Sequence, residues 1–456
     1  MDTKTSVLER LFHLSERNTT VRTELLAGLT TFLSCVSILV LNPAILSATG
    51  MDSKALFWAT AIGCCIACVW MGLYGNFPFA LGPAMGLNSF FAFSMVLGMG
   101  IPWQNALACV FTSGCVFMLL SVFKVQQKIV DAVPDTIKKA IGAGVGMFIA
   151  LAGFQSAGIV VKNDSTIVGI GNLGNPGTLL ALLGMIVTLV LVLRGVKAAI
   201  LIGTIVVTIL GFFVTDPATG QAYTALPTAI FSFDNPVTAL APTFGKLTFR
   251  GMFGGDFSST VTMLFCVISF LFVDLFDSLG VFLGIAPKAG LVDKDGKIPG
   301  AGKAFFVSAG AAAVGAVLGT STITIYGAES ATGIQAGGRT GLTACTTGIC
   351  FLAMLFISPL FLIVPGIATA PALIMVGIFM ISNIASLDLS DITVSAPTFM
   401  ALAIMPFTYN IAYGVLFSML TYTLCMLAVG RRNELNKTIY AVDIFFLVYF
   451  VLDCIF

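Results

Sequence analysis

Three carboxylate side chains lie inside apolar stretches of the sequence, where a charge is costly. Asp274 and Asp277 occur in FLFVDLFDSLG, and Glu329 occurs in IYGAESATG. A carboxylate at membrane depth costs about 2.5–3.5 kcal/mol on insertion scales, so such residues usually have a function. The two aspartates are three residues apart and therefore share one face of a helix. These three acids are the first candidates for binding a substrate or a proton.

Glu329, preceded by Ala328, begins a short apolar stretch that follows the extended-looking segment STITIYG. The first turn of a helix offers free N–H groups and a partial positive charge, which favour a carboxylate or a ligand acceptor. Asn88, in PAMGLNSFF, is the amide of a corresponding stretch and combines a donor with an acceptor. Structural alternatives stay open: a helix cap for Glu329, a backbone-bonded pair for the aspartates, and a helix–helix hydrogen bond for Asn88.

Three other polar residues also lie in apolar surroundings. Gln155, in LAGFQSAG, is open to a functional or a structural interpretation. Asp443 and Asp453 fall in the last apolar run, 440–456, and are expected to face water.

The composition defines the class of protein in which these residues work. Of 456 residues, 58% are hydrophobic and only 9% are charged, and the mean hydropathy is +1.03. So few charges cannot cover the surface of a soluble fold of this size, which excludes a water-soluble enzyme. The net charge of +1 gives no reason to expect nucleic acid as a partner. The single histidine excludes a histidine metal pair, and its position at His13, in the polar segment LERLFHLSERN, argues against a Ser–His–Asp triad, so no cofactor or metal is expected.

Apolar runs predict a helical protein that crosses the lipid bilayer many times. A short interfacial helix is predicted within 5–20, before the first run. The predicted runs are 24–47, 55–74, 85–98, 103–123, 139–160, 177–193, 197–214, 257–285, 303–319, 328–337, 341–364 and 366–386. The region 395–430 has Pro406 and Asn410 in its middle and is interpreted as two crossings, which gives fourteen in all. The run 440–456 is then an extra helix.

Two of these runs, 85–98 and 328–337, are too short to cross alone, and each follows an extended-looking stretch. Such strand-then-half-helix elements are stable only where protein buries them or where they line a cavity. They are the third and tenth crossings, seven elements apart, so the second half of the chain is inverted relative to the first. Paired interrupted segments in inverted halves are the best sequence indication of a transporter binding site, here near the membrane midplane.

Basic residues predict the orientation of the chain in the membrane. Most lysines and arginines fall in loops on the side of the N-terminus, among them Arg10, Lys128, Arg194 and Arg339. This excess predicts a cytoplasmic N-terminus in an inner (plasma) membrane.

The polar groups within the spans also restrict the ligand. Carboxylates, an amide and free backbone N–H groups suit a small, flat, neutral molecule with N–H and C=O edges. No Lys or Arg lies within a core span, so an anionic substrate would meet no cation. A carboxylate that can be protonated also provides a means of coupling transport to protons.

Four longer motifs carry a resemblance to a known family. They are PAMGLNSFFAF, AIGAGVGMFIALAGFQSAGIVV, FLFVDLFDSLGVFLGIA and GTSTITIYGAESATGIQAGGRTGLTA. Together they resemble the azaguanine/hypoxanthine-guanine permease branch of the nucleobase–cation symporter family 2, over about residues 24–430.

The resemblance implies seven-plus-seven inverted repeats divided into a core domain and a gate domain. The implied division is 1–23 cytoplasmic segment, 24–123 and 257–364 core, 124–214 and 365–430 gate, and 431–456 C-terminal helix. It further implies proton-coupled import of purine bases (adenine, guanine or hypoxanthine) by movement of the core against the gate. A homodimer is a further expectation.

The family's functional groups fall on Asn88, Asp274, Asp277 and Glu329 at matching positions. Asp274, Glu329, Asn88 and Ala328 are expected to contact the base, and Asp277, Asp274 or Glu329 to carry the proton. Phe79 and Phe154 are candidates for aromatic stacking on the base. The motif IYGAES has Gly–Ala where a bulkier residue is common, which leaves base selectivity open.

Other functions remain as alternatives. They are a uracil/xanthine-type carrier or an anion transporter of the same fold and, more remotely, an intramembrane aspartyl protease. A protease needs two aspartates that share a proton, normally from different helices, whereas Asp274 and Asp277 lie on one helix.

Overall fold

The computed structural model describes residues 7–123, 134–163, 165–196, 198–217, 219–227, 229–250, 257–293 and 298–455. Parts of the sequence-based predictions lie outside these residues: the start of the N-terminal segment, the start of the 124–214 segment, and Lys128. The side chain of Asp453 also lies outside them.

The first half of the described chain consists of helices interrupted by one buried strand and one hairpin. Its elements are α1 (Val7–Phe12), α2 (Val21–Cys35), α3 (Ile38–Ser47), α4 (Ser53–Trp70), β1 (Leu81–Pro83), α5 (Met85–Ser89), α6 (Trp103–Val122), α7 (Asp135–Ser156), β2 (Val160–Asn163), β3 (Ile167–Ile170), α8 (Pro176–Leu193) and α9 (Ala199–Gly211). A π-helical turn, Met71–Gly75, extends α4, and a longer one, Phe90–Gly98, extends α5.

The second half again places one buried strand and a short helix between longer helices. Its elements are α10 (Pro236–Leu240), α11 (Phe257–Ile285), α12 (Ala301–Leu318), β4 (Ile323–Ile325), α13 (Ala328–Gln335), α14 (Gly341–Ala353), α15 (Ser358–Leu362), α16 (Gly366–Ile381), α17 (Ile392–Thr408), α18 (Ile411–Ala428) and α19 (Lys437–Ile455). Among the described residues, eight helical segments are long and apolar enough to cross a membrane.

The two interrupted segments meet in a short antiparallel strand pair. β1 pairs with β4 in the register Leu81 to Ile325, Gly82 to Thr324 and Pro83 to Ile323, and all six residues are buried. Two further backbone hydrogen bonds extend the pair, from Ala84 N to Thr322 O (3.0 Å) and from Tyr326 N to Ala80 O (2.9 Å). Each strand therefore satisfies the polar backbone of the other at membrane depth, as such a segment requires. The predicted strand-then-half-helix elements are confirmed.

Close helix contacts around this pair depend on small residues. A Cβ atom on Gly341 would lie 2.0 Å from the carbonyl oxygen of Gly72, so the start of α14 touches the extension of α4 backbone to backbone. Only glycine allows two helices to approach so closely.

The region 395–430 forms two helices, as predicted from its proline and asparagine. α17 ends at Thr408, Tyr409 adopts a left-handed conformation (φ 54°, ψ 32°), and α18 begins at Ile411. The predicted interfacial helix within 5–20 is shorter than expected. α1 ends at Phe12, because His13 and Asn18 have positive φ angles that end regular helix.

One expectation for the C-terminal helix is wrong. Asp443 does not face water: its side chain is 4% exposed and accepts a hydrogen bond from the Thr423 hydroxyl of α18 (2.5 Å). The reason is that α19 packs along α18, as the edge-to-face contact of Phe417 with Phe450 also shows, so the face that carries Asp443 is covered.

The buried carboxylate of Glu24 joins the first long helix to the loop before α14. It accepts hydrogen bonds from Arg339 N (2.8 Å), Thr340 N (3.2 Å), Thr343 N (3.2 Å) and the Thr343 hydroxyl (2.6 Å), and it is fully buried. These bonds satisfy free N–H groups at the start of α14.

We expect Glu24→Gln to lower the stability of the purified protein by about 1–3 kcal/mol. The amide N–H₂ group would face the backbone N–H and hydroxyl groups that donate to the carboxylate, and two donors cannot bond to each other. The measurement is the thermal unfolding midpoint in detergent, with Glu16→Gln as control. The Glu16 side chain is 76% exposed and lies 3.3 Å from His13, so its replacement should change little. Equal midpoints for the two variants would contradict the role given to Glu24.

Candidate functional site

Helix α11 carries Asp274 and Asp277 one turn apart, and the two side chains meet different surroundings. Asp274 is 1% exposed and accepts a hydrogen bond from the Ser278 hydroxyl (3.2 Å). Ser278 in turn lies 3.0 Å from the hydroxyl of Ser308 on α12. Within the described residues no basic side chain forms an ion pair with Asp274. Its hydrogen-bond partner is a hydroxyl group, which can bond to either protonation state of a carboxyl group.

Asp277 faces the strand pair. Its Oδ2 atom accepts a hydrogen bond from the Thr324 hydroxyl of β4 (3.4 Å), and its side chain is only partly buried. The same helix packs against the residues that follow β4, since a Cβ atom on Gly327 would lie 3.1 Å from Val281. Glu329, two residues later, is half-buried at the start of α13, and Ala328 beside it is exposed. The fold therefore brings Asp277 and Glu329 to the same corner of the strand pair.

The strand pair is fixed by side chains as well as by its own backbone. The Tyr326 hydroxyl donates a hydrogen bond to Pro83 O (2.9 Å), so the residue after β4 is tied to the end of β1. Ala80 N donates to the Ser330 hydroxyl (3.0 Å), which ties the residue before β1 to α13. Positions on either side of Glu329 are thus held by the opposite half of the chain.

Asn88 belongs to a buried polar network at the other end of the pair. Its Nδ2 atom donates to Asn42 Oδ1 (2.5 Å) on α3. Asn42 Nδ2 donates to the hydroxyl oxygens of Thr60 (2.8 Å) on α4 and Thr320 (2.7 Å), which precedes β4. All four side chains are fully buried. The network therefore joins the first three predicted crossings to the segment between the ninth and the tenth.

The direction of these hydrogen bonds follows from one backbone carbonyl. The Thr60 hydroxyl donates to Leu56 O (2.7 Å), so in its 2.9 Å contact with Thr320 it acts as the acceptor. Asn42 then directs both of its N–H groups at the threonines and its carbonyl oxygen at Asn88. Asn88 consequently turns its own Oδ1 atom away, and this buried oxygen has no partner among the described residues.

The two aromatic candidates occupy different environments. Phe79 is fully buried and stacks on Phe77, with ring centroids 5.3 Å apart, while Phe282 of α11 contacts it edge to face at 5.6 Å. Phe154 is half-buried near the end of α7. A role of either ring in stacking on a base stays a prediction.

Several residues of the site were not predicted from the sequence. Asn42 has a visible signal, since it is an amide within the apolar run LVLNPAIL and immediately precedes a proline. Thr60, Thr320 and Ser308 have none, because threonine and serine in membrane helices usually bond to their own backbone. Their role depends on which helices are neighbours.

This arrangement defines a class of protein. Two discontinuous segments from inverted halves meet at membrane depth and carry the polar residues, which is the organisation of a secondary transporter. The model of the Xan_ur_permease family, a permease family, matches residues 22–417. The chain therefore belongs to this family of nucleobase–cation symporters, and the resemblance seen in the motifs is confirmed.

Relatives match along nearly the whole chain. Adenine permease AdeP of Escherichia coli (strain K12) is 37% identical, over 97% of this chain and 95% of its own length. Guanine/hypoxanthine permease PbuG of Bacillus subtilis (strain 168) is 40% identical, over 97% of this chain and 99% of its own.

Solved structures show the same fold at low sequence identity. The transmembrane domain of the cyanobacterial bicarbonate transporter BicA matches with a TM-score of 0.64 and 15% identity, over 86% of this chain and 97% of that one. The murine anion transporter Slc26a9, in an inward-facing state, matches with a TM-score of 0.61 and 10% identity, over 94% of this chain and 73% of that one. The predicted multi-pass fold of seven-plus-seven inverted repeats is confirmed. The family consists of permeases, which confirms the prediction of a transporter and leaves the protease alternative without support.

We expect Asn42→Ala to lower nucleobase uptake while the protein still folds, because Asn88 loses the acceptor that orients it. An unsatisfied buried donor costs about 1–3 kcal/mol. Thr320→Val, which removes a hydroxyl of the same network, should have a smaller effect, and Thr320→Ser, which keeps it, should resemble the wild type. The measurement is initial uptake rate normalised to the amount of protein in the membrane. Wild-type uptake by Asn42→Ala would show that the network does not position Asn88.

Proposed function

We propose that the protein is a proton-coupled importer of purine nucleobases in the inner membrane, with its N-terminus in the cytoplasm. The observation that carries this proposal is the set of three carboxylates, Asp274, Asp277 and Glu329, beside the paired half-helices with no basic partner among the described residues. Relatives that are adenine and guanine/hypoxanthine permeases support a purine as the substrate.

The chemistry of the site fits a neutral heterocycle that carries N–H groups. A carboxylate accepts hydrogen bonds from N–H groups, and each purine base carries N–H donors at its edges. Glu329 is the acid that receives this edge, since it is half-buried and adjoins the exposed Ala328. The free Oδ1 atom of Asn88 is an acceptor for a further N–H group. Adenine, guanine and hypoxanthine all satisfy these requirements.

An anionic substrate is a weaker candidate, although the solved structures of the same fold are a bicarbonate transporter and an anion transporter. Fold does not determine function, which depends on the groups placed in the site. The two acids at the corner proposed to bind the substrate, Asp277 and Glu329, would repel an anion. A uracil or xanthine carrier of the same family stays the nearest alternative, since these bases offer similar edges.

Asp274 and Asp277 have different roles in this proposal, one in proton binding and the other beside the base. Asp277 is hydrogen-bonded to Thr324 of the strand pair and lies near Glu329. In this position it contacts the base directly or interacts with it electrostatically. Asp274 is buried among hydroxyl groups of α11 and α12, which suits a group that holds and releases a proton. A carboxyl group one turn from a second carboxylate is coupled to it electrostatically, so protonation and binding are linked.

Transport follows from movement of a core domain (24–123 and 257–364) against a gate domain (124–214 and 365–430), with the base held by the core. A homodimer is a further prediction, and the mass of the protein in lipid nanodiscs tests it.

Glu329→Gln is expected to weaken purine binding about ten- to a hundredfold, because a charge-assisted hydrogen bond contributes about 1.5–3 kcal/mol. Equilibrium binding of labelled adenine, guanine and hypoxanthine to purified protein measures this loss. The exposed Glu16→Gln variant is the matched control and should bind like the wild type. Near-normal affinity in Glu329→Gln would remove Glu329 from the site.

Purine uptake is expected to rise as the external pH falls and to collapse when a protonophore is added, because protons then drive substrate inward. Asp274→Asn is expected to keep measurable base binding that no longer responds to pH, and Asp277→Asn is the matched comparison one turn away. Uptake by wild type and both variants at several external pH values is the measurement. Uptake that ignores the protonophore and follows a sodium gradient would overturn proton coupling. Retained pH dependence in both variants would instead overturn only the assignment to these aspartates.

A further inference from the structure

Tyr409 stands at the tip of the α17–α18 hairpin in a backbone conformation that tyrosine rarely adopts. Its φ and ψ angles are 54° and 32°, in the left-handed region where glycine or asparagine is the usual residue. The neighbouring Asn410 would be the easier residue at such a turn. Strained backbone persists where the surrounding structure requires it, and it is concentrated at functional positions. The contacts of the Tyr409 side chain and carbonyl group show what this conformation provides.

Tyr409 contacts two different parts of the chain at once. Its carbonyl oxygen accepts a hydrogen bond from the Ser94 hydroxyl, and its ring lies edge to face with Phe93, at 6.1 Å between centroids. Both residues belong to the π-helical extension of α5. On its other side, its ring contacts Phe148 of α7 at 5.2 Å, and its hydroxyl donates to Gln155 Oε1 (2.5 Å).

We propose that this set of residues, the Tyr409 junction (Phe93, Ser94, Phe148, Gln155 and Tyr409), is a closure between the two moving domains. The inference rests on the proposed function, because it takes the core and gate division from there. Phe93 and Ser94 lie in the core, whereas Phe148, Gln155 and Tyr409 lie in the gate. The ring contact with Phe148 and the hydrogen bond to Gln155 hold Tyr409 within the gate. The ring contact with Phe93 and the hydrogen bond from Ser94 cross the boundary to the core.

The position of the junction indicates which side of the site it closes. The extension of α5 runs from the strand pair to Gly98, away from the N-terminal end of the chain in the proposed topology. The junction therefore lies on the external side of Asn88 and of the strand pair. When the core moves to admit a base from outside, the Ser94 hydrogen bond and the Phe93 contact must break. The Tyr409–Gln155 hydrogen bond stays intact, so the ring can return to the same place.

The junction gives a function to residues that the binding site does not use. Gln155 is exposed near the end of a membrane helix, and its partner is a tyrosine from a distant part of the sequence. A tyrosine required only to make a turn would need neither the hydroxyl group nor this partner.

The test measures how readily the external side opens. Phe93→Cys places a thiol inside the junction, and a membrane-impermeant maleimide applied to intact cells reports its accessibility. The chain has eleven cysteines of its own, so labelling of the protein without Phe93→Cys is measured and subtracted as background. Adding Ser94→Ala removes the hydrogen bond that crosses the boundary. Adding Tyr409→Phe removes the hydroxyl by which Gln155 holds the ring in place, and so weakens closure indirectly. Each is expected to increase the labelling rate about two- to tenfold, as for the loss of one neutral hydrogen bond.

Ser89→Ala is the matched control. Ser89 lies on the same segment and is fully buried, but its hydroxyl has no partner among the described residues, so its removal should leave the labelling rate unchanged. Equal labelling in all four proteins would overturn the proposal. An equal increase in Ser89→Ala and Ser94→Ala would also overturn it, since loss of any hydroxyl from the segment would then explain the result. Tyr409→Phe preserves the shape of the residue and keeps the test valid if Ser94→Ala folds poorly.

Uptake in the same variants separates this proposal from the proposed function. Purine affinity should stay within about twofold of wild type in Tyr409→Phe, while the maximal rate of uptake changes, because the junction lies outside the binding residues. Labelling requires no substrate. Faster labelling in a protein that fails to transport purines would therefore support the junction and contradict the proposed substrate. Unchanged labelling in a protein that does transport purines would contradict the junction alone.

Discussion

Backbone polar groups that no water can reach set the main constraint on this structure. At the centre of the protein the chain leaves the helical conformation twice, at Leu81–Pro83 and Ile323–Ile325, and each stretch is stable because it bonds to the other. Neither half of the chain could hold its own stretch at membrane depth, since a single strand would leave its N–H and C=O groups without partners. The candidate site therefore requires both halves, and the positions of Asn88 and Glu329 follow from one shared pairing.

The same constraint explains why hydroxyl groups surround the acids. Asp274 and Asp277 are bonded to Ser278 and Thr324, and in the described part of the chain neither forms an ion pair. An arginine or lysine would stabilise a permanent negative charge and thereby prevent protonation. Hydroxyl partners can donate to a carboxylate and accept from a carboxylic acid, so the site accommodates both states. A transporter that binds and releases protons needs this equivalence.

The sequence predicted the elements whose signals are local. The α11 bounds, Phe257–Ile285, agree with the predicted run, and both half-helices follow their predicted strands, because hydropathy, proline and β-branched residues act over a few neighbours. Contacts between distant segments gave no such signal. The burial of Asp443 depends on α19 lying against Thr423, and the orientation of Asn88 depends on Asn42. Periodicity within one helix cannot show which helix is next to it.

Comparison with anion transporters of the same fold shows where specificity resides. BicA and Slc26a9, a bicarbonate transporter and an anion transporter, share the fold of this chain at only 15% and 10% identity, so the fold alone does not set the substrate. Half-helix N-termini carry partial positive charge, which by itself favours an anion. In this chain Glu329 occupies one of these positions, and its carboxylate offsets that partial charge with a full negative one. The dipole then stabilises the protein's own acid, so in the proposed function the ligand supplies hydrogen-bond donors instead of negative charge. The proposal therefore assigns the class of ligand to a side chain and not to the fold.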